Sequence, residues 1–219
     1  MDIRVIIDFL MNLDIHIVDL IETFGIGAYV ILFLIIFLET GAVVLAALPG
    51  DSLLVGAGAF GATGDLNIIV LLLGFYLSTV LGDMLNFKIG QILGKKYHRS
   101  KYEEKAVFKF INKDNFDKVH NFFTNKGRRA FLISRFIPVA RTLAPFTAGF
   151  TNVNFLDISF FLFLGNAIWT SIYVMIGYFV GNTDFMRGRF VYIMAFIFMI
   201  SMLPASFFFI RSRLTKKVR

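Results

Sequence analysis

Cysteine is absent from the 219 residues, tryptophan occurs once, histidine three times and proline four times. Without cysteine there is no disulfide, no thiolate nucleophile and no Cys-ligated metal. His16, His98 and His120 fall outside the segments where charge interrupts apolar sequence, and no Ser/His/Asp arrangement or Asp-rich cluster accompanies them. Neither a histidine-based lipid phosphatase nor metal-assisted hydrolysis is therefore expected, and the chain is read as a non-enzyme without metal or cofactor. Acidic residues are the scarcer charge, 15 Asp and Glu against 22 Lys and Arg for a net +7. No Gly-rich phosphate loop or nucleic-acid motif goes with that excess, so nucleic acid is not an expected partner. No basic n-region with a cleavage site opens the sequence, and no removable signal peptide is expected.

What the chain has in quantity is apolar sequence: 57% hydrophobic and 16% aromatic residues, with a mean hydropathy of +0.73. Those values lie outside the range of a water-soluble domain of this length and imply an integral membrane protein. A spanning helix needs about 20 apolar residues for a hydrocarbon core of about 30 Å, so 219 residues hold a few spans and one membrane domain covering 1–219.

Residues 1–24 carry Arg4, Asp8, Asn12, Asp19 and Glu22 on one helical face, the pattern of an amphipathic helix, either lying on the membrane or packed on the rest of the protein. Ile26 to Leu38 is continuously apolar, but its thirteen residues reach only about 20 Å as a helix. Glu39, Pro49, Gly50 and Asp51 follow, then a glycine-rich run. Two short apolar arms with a Pro-Gly break and carboxylates read as a re-entrant hairpin over 25–62, because broken backbone at membrane depth must sit against protein or water. A full span is expected over 65–94. Residues 95–129 are strongly basic, and with the tail RSRLTKKVR they are assigned to the cytoplasm by the positive-inside rule.

Residues 130–150 repeat the hairpin with opposite charge: Arg135 and Arg141, broken by Pro138 and Pro145. Spans are expected at 155–180 and 189–211. With the tail inside, the second hairpin enters from the cytoplasm and the first from outside, where the acidic N-terminal helix also fits. The expected fold is thus all-α, an inverted repeat of re-entrant hairpin plus transmembrane helix, with an N-terminal amphipathic helix and a C-terminal transmembrane helix. An offset of 91 supports it weakly by aligning Gly58 with Gly149, Gly74 with Gly165 and Gly90 with Gly181. Such repeats place the substrate site where the broken segments converge.

A charge at the bilayer centre costs about 2.5–3.5 kcal/mol on insertion scales, so Glu39, Asp51, Arg135 and Arg141 need each other, water or a ligand. On one continuous helix Glu39 and Asp51 would stand about 18 Å apart, whereas a hairpin brings them to similar depth. The plainer alternative is that these charges are salt bridges fastening two hairpins together. Asp83 is a secondary candidate, or a cap or partner near the inner interface. Gly177 and Gly181 permit close helix packing, within the chain or between the chains of a homo-oligomer.

Four elements carry a family resemblance: LET-x8-PGD at Glu39, Pro49, Gly50 and Asp51; GD-x3-F-x2-G-x3-G at Gly82, Asp83, Phe87, Gly90 and Gly94; SRFIPVARTLAPFTAG with Arg135, Pro138 and Arg141; and G-x3-W at Gly165 and Trp169. Together, over roughly residues 25 to 182, they resemble the DedA (SNARE-associated, VTT-domain) membrane proteins. Ser78, Phe87 and Leu162 depart from the usual Gly, Tyr and Asn. The resemblance implies a bacterial inner-membrane protein that moves a phospholipid or undecaprenyl phosphate between leaflets with proton-motive-force dependence. On that reading Arg135 and Arg141 receive the lipid phosphate bidentately. Glu39 and Asp51 couple protons by holding the arginines when empty and releasing them when protonated. The rivals are a proton-coupled transporter of a small ion or solute and a non-transporting membrane assembly factor.

Overall fold

The structure, a computed structural model, describes residues 13–41, 50–99 and 127–182. The expectations for 1–12, for Pro49, for most of the basic segment and for the 189–211 span with its basic tail fall outside them. Among the described residues all regular structure is helical: α1 (Leu13–Phe24), α2 (Gly27–Gly41), α3 (Gly50–Thr63), α4 (Ile68–Arg99), a 3-10 turn (Gly127–Arg129), α5 (Ala130–Ser134), α6 (Pro138–Phe150) and α7 (Phe155–Gly181).

Helices α4 and α7 have 32 and 27 residues, about 48 and about 40 Å at 1.5 Å per residue, and both are long and apolar enough to cross a membrane. Their faces are the reverse of a water-soluble helix. Along α4, Ile69, Leu73, Leu77, Leu81 and Leu85 are exposed at every fourth position, while Ser78, Thr79, Asp83 and Asn86 are buried. A solvent that accepts leucine and rejects carboxylate produces that arrangement. The same holds for α7, with Leu156, Phe160 and Leu164 outward and Asn166 and Thr170 inward.

Both long helices are entered alike. Asn67 Oδ1 accepts the Ile69 and Val70 amides at 2.9 and 3.2 Å, and Asn154 Oδ1 accepts the Leu156 amide at 3.2 Å, satisfying orphan donors of the first turn. Helix α6 closes on Asn152 at φ 57°, with the Val153 amide reaching back to the Ala148 carbonyl at 2.9 Å, a left-handed cap that asparagine tolerates.

The described residues divide into two compact units, one of 13–33, 50–75 and 170–182, the other of 34–41, 76–99 and 127–169. In the first, α1 rests on α3 with Ile17 buried. The first half of α2 lies on the start of α4, with the Phe33 and Phe75 rings edge to face at 5.2 Å and Tyr29 Oη accepting the Asn67 amide at 2.6 Å. Residues Gly50 to Ala59 of α3 are all buried, and this helix lies backbone to backbone on the end of α7. Gly58 faces the Val174 carbonyl and the Tyr178 amide, Gly177 faces the Val55 carbonyl, and Gly181 faces Ala59. Gly177 and Gly181 therefore spend their small size inside the chain.

The second unit repeats these contacts between α6 and α4: Gly149 faces the Phe87 carbonyl and the Gln91 amide, Gly90 the Phe146 carbonyl, and Gly94 the Phe150 carbonyl. The correspondence corrects the single offset of 91. The short helices match at 91, Gly58 with Gly149 and Val55 with Phe146, but the long helices and their Asn caps match at 87, Gly90 with Gly177, Gly94 with Gly181 and Asn67 with Asn154. Gly74 instead meets the Phe33 ring, and Gly165 meets Leu132 and Arg135.

Proline placement also differs from expectation in one respect. The break precedes Pro138, at Arg135 to Ile137, and Pro138 opens α6 with Ile137 extended at φ −115°, ψ 108°. That is where a missing N–H costs nothing and where the residue before proline is driven out of helix. Pro145 breaks nothing: α6 runs through it to Phe150. Residues 141 to 150 are buried without exception, and enclosing neighbours make an interior proline tolerable in a membrane helix.

Candidate functional site

The second unit gathers four ionisable side chains that composition alone would call misplaced: Glu39 near the end of α2, Asp83 midway along α4, Arg135 in the turn after α5 and Arg141 in the first turns of α6. Their exposures are 2%, 0%, 3% and 7%. They are matched in pairs. The Arg141 guanidinium donates through Nη2 to Glu39 Oε1, and that of Arg135 through Nη2 to Asp83 Oδ2.

Each pair has its own support. Asn86, one turn beyond Asp83, donates through Nδ2 to the Thr142 carbonyl at 2.6 Å and the Thr40 carbonyl at 3.3 Å. Thr40 follows Glu39 and Thr142 follows Arg141, so one amide fixes the backbone beside both members of that pair. Arg141 also lies over the Trp169 indole, 5.3 Å from the ring centroid, where the quadrupole attracts the cation. Around the other pair, Asn166 Nδ2 donates to Asp83 Oδ2 at 2.8 Å, and Gly165 leaves room for the Arg135 stem. Asp83 Oδ2 thus takes two donors. Its Oδ1, the Oδ1 of Asn86 and the Oδ1 of Asn166 are buried with no hydrogen-bond partner.

Of the expected contacts of Glu39 and Asp51 with the arginines, the pair of Glu39 with Arg141 is present. Asp83, held secondary on the sequence, is the partner of Arg135. Asp51 is buried in the first turn of α3, in the first unit, where a carboxylate complements the helix dipole. Gly50 is the first residue of the same helix. Asn86, Asn166 and Trp169 were not assigned roles from sequence. The signal for the two asparagines was available, since each is an amide on the inward face of an apolar span one turn or less from a motif residue. No group of three or more His, Cys, Asp or Glu able to hold a metal occurs among the described residues.

Two guanidiniums and two carboxylates sum to zero, which is how a low-dielectric interior keeps charge at all. Phosphate, like carboxylate, presents the geometry a guanidinium fork matches.

These features define a helical membrane protein with paired charges in its interior. Residues 48–179 match the VTT domain, and the chain belongs to that family, the DedA membrane proteins. It is 32% identical over 210 residues to Protein DedA of Escherichia coli (strain K12), covering 95% of this chain and 94% of that protein. To the inner membrane protein YqjA of the same organism it is 32% identical over 155 residues, 71% and 68% of the two chains. An uncharacterized membrane protein of Mycobacterium leprae (strain TN) is 32% identical over 171 residues, covering 78% and 74%. No solved structure matches.

Proposed function

We propose that this protein moves a lipid bearing a phosphate headgroup, a phospholipid or undecaprenyl phosphate, between membrane leaflets, and that it is not an enzyme. The observation that carries the reading is the buried pairing of Arg141 with Glu39 and of Arg135 with Asp83. Salt bridges kept only for fastening are weak stabilisers, because desolvation offsets most of their attraction, whereas intramembrane ionisable groups mark substrate and ion paths. The arginines would take the phosphate as the carboxylates let go, and protonation of Glu39 and Asp51 would drive that release. Lipid tails would stay in the bilayer while the short buried helices, α3 and α6, serve as arms of two re-entrant hairpins in an inverted repeat. The named location of YqjA, and the basic character of residues 95–129 and of the tail, favour a bacterial inner membrane with both basic segments cytoplasmic.

The test is headgroup transfer between leaflets of proteoliposomes under an imposed pH gradient, for the wild type and for Arg135→Lys, Arg141→Lys, Glu39→Ala and Asp51→Ala. Loss of transfer in folded variants is expected. Undiminished transfer in all four refutes the mechanism, and solute uptake without lipid transfer assigns the chain to small-ion transport instead.

A further inference from the structure

Both unpartnered oxygens of the Asp83–Asn166 contact are acceptors, so what that contact lacks is hydrogen. Asp83 Oδ2 is saturated by Arg135 Nη2 and Asn166 Nδ2, while Asp83 Oδ1 and Asn166 Oδ1 have nothing. A primary amide donating to one oxygen of a carboxyl is half of a familiar two-point pairing. The other half is an O–H on the second carboxyl oxygen donating to the amide carbonyl. Neither asparagine can be turned to help: the Asn166 amide nitrogen is committed to Asp83, and that of Asn86 to two backbone carbonyls. An orphaned buried acceptor costs about 1–3 kcal/mol, and one hydrogen on Asp83 Oδ1 would remove two orphans together.

We propose that Asp83 is a proton-binding carboxyl of this protein, its Oδ1 taking a proton that is then donated to Asn166 Oδ1. The proton comes from water, no other bond is made or broken, and Asp83 becomes neutral. The charged groups of the same unit that share its surroundings are Arg135 from the turn after α5, Arg141 from α6 and Glu39 from α2. The part of α7 beside it contributes the neutral Asn166, Asp157 stands at the exposed start of that helix, and Lys88 on α4 itself is exposed. Protonation therefore changes the sum over these four groups from zero to plus one, and the excess resides on Arg135, whose carboxylate partner is now neutral. A singly charged phosphodiester restores neutrality. That last consequence rests on the lipid-phosphate reading, and proton binding does not. It adds a proton site at a second arginine-holding carboxylate, completed by a half-made amide pair, and it implies that one proton accompanies each phosphate charge.

The experiment is infrared difference spectroscopy of the full chain in vesicles of phosphatidylethanolamine and phosphatidylglycerol, acidified from mildly alkaline to mildly acidic pH. A protonated-carboxyl stretch is expected to appear, to move down when aspartate is labelled with carbon-13 at the side-chain carboxyl, to vanish in Asp83→Asn and to change frequency in Asn166→Val. No such band, a band indifferent to the label, or one that survives in Asp83→Asn overturns the proposal and leaves a bound water as the missing donor. Should Asp83→Asn fail to fold, the labelled wild type and Asn166→Val decide. Headgroup transfer is measured on the same vesicles. A band without transfer upholds the proton site and removes the lipid reading, whereas transfer without a band does the reverse.

Discussion

Removing the Asp83 carboxylate while leaving Arg135 in place should be among the most damaging single changes available in the second unit. Asp83→Leu strands a guanidinium that is 3% exposed and orphans the Asn166 amide. Breaking a buried pair from one side costs about 3–5 kcal/mol. For a chain of this size, each 1 kcal/mol shifts the unfolding midpoint by about 2–4 °C, so a fall of roughly 6–20 °C is expected. The double variant Asp83→Leu/Arg135→Met removes both charges, and apolar replacement of a whole buried pair is commonly neutral or stabilising; its midpoint should return most of the way to wild type. Trp169 is the sole tryptophan and lies within the same unit, so its fluorescence during thermal unfolding in nanodiscs reports on this region without a label. If the double variant loses the sum of the two single losses, the side chains are not coupled and the pairing argument fails. If it recovers stability and also moves lipid at the wild-type rate, the pair is a fastener and the transport reading falls.

Other expectations concern the supports. Arg141→Lys keeps the charge but loses the planar fork and its seat on Trp169, and should depress headgroup transfer at least tenfold, about 1.4 kcal/mol, with little change in midpoint. Asn86→Leu leaves the Thr40 and Thr142 carbonyls without this donor and should cost about 1–3 kcal/mol, read as a lowered midpoint and faster amide exchange at the start of α6. Gly90→Ala and Gly177→Ala each drive a methyl into a facing carbonyl and should destabilise by about 1–3 kcal/mol. Gly61→Ala meets only the side chains of Ile68 and Leu71, the nearest atom being the flexible tip of Ile68, and should stay within about 1 kcal/mol of wild type.

The long helices were legible because apolar length is a property of composition: 65–94 and 155–180 anticipate Ile68–Arg99 and Phe155–Gly181 within a few residues. The basic residues at 135 and 141 stood out for the same reason, since charge in an apolar run has no solvent reason to exist. Pairing was not legible. Asp83 could be read as a cap because nothing in a one-dimensional pattern says which carboxylate reaches which guanidinium across 52 residues of chain. Pro145 misled because proline's missing amide is a local fact, while the enclosure that tolerates it belongs to the tertiary structure. Asn166 and Asn86 carry no charge to mark them, and their value here lies in donors aimed at three particular oxygens.

The difference between the offsets of 87 and 91 lies in the link from short helix to long: Gly58 stands nine residues before Asn67, Gly149 five before Asn154. Four residues are one helical turn, about 6 Å of axial travel, and glycines recur at that interval on both long helices, at 90 and 94 and at 177 and 181. Counted from the matching asparagine caps, Gly90 and Gly177 both stand 23 residues on, so each long helix meets its short partner at the same notch of the track. Glycine against carbonyl fixes that seat by close backbone approach, and the four extra residues are taken up in the link rather than by a slide along the track.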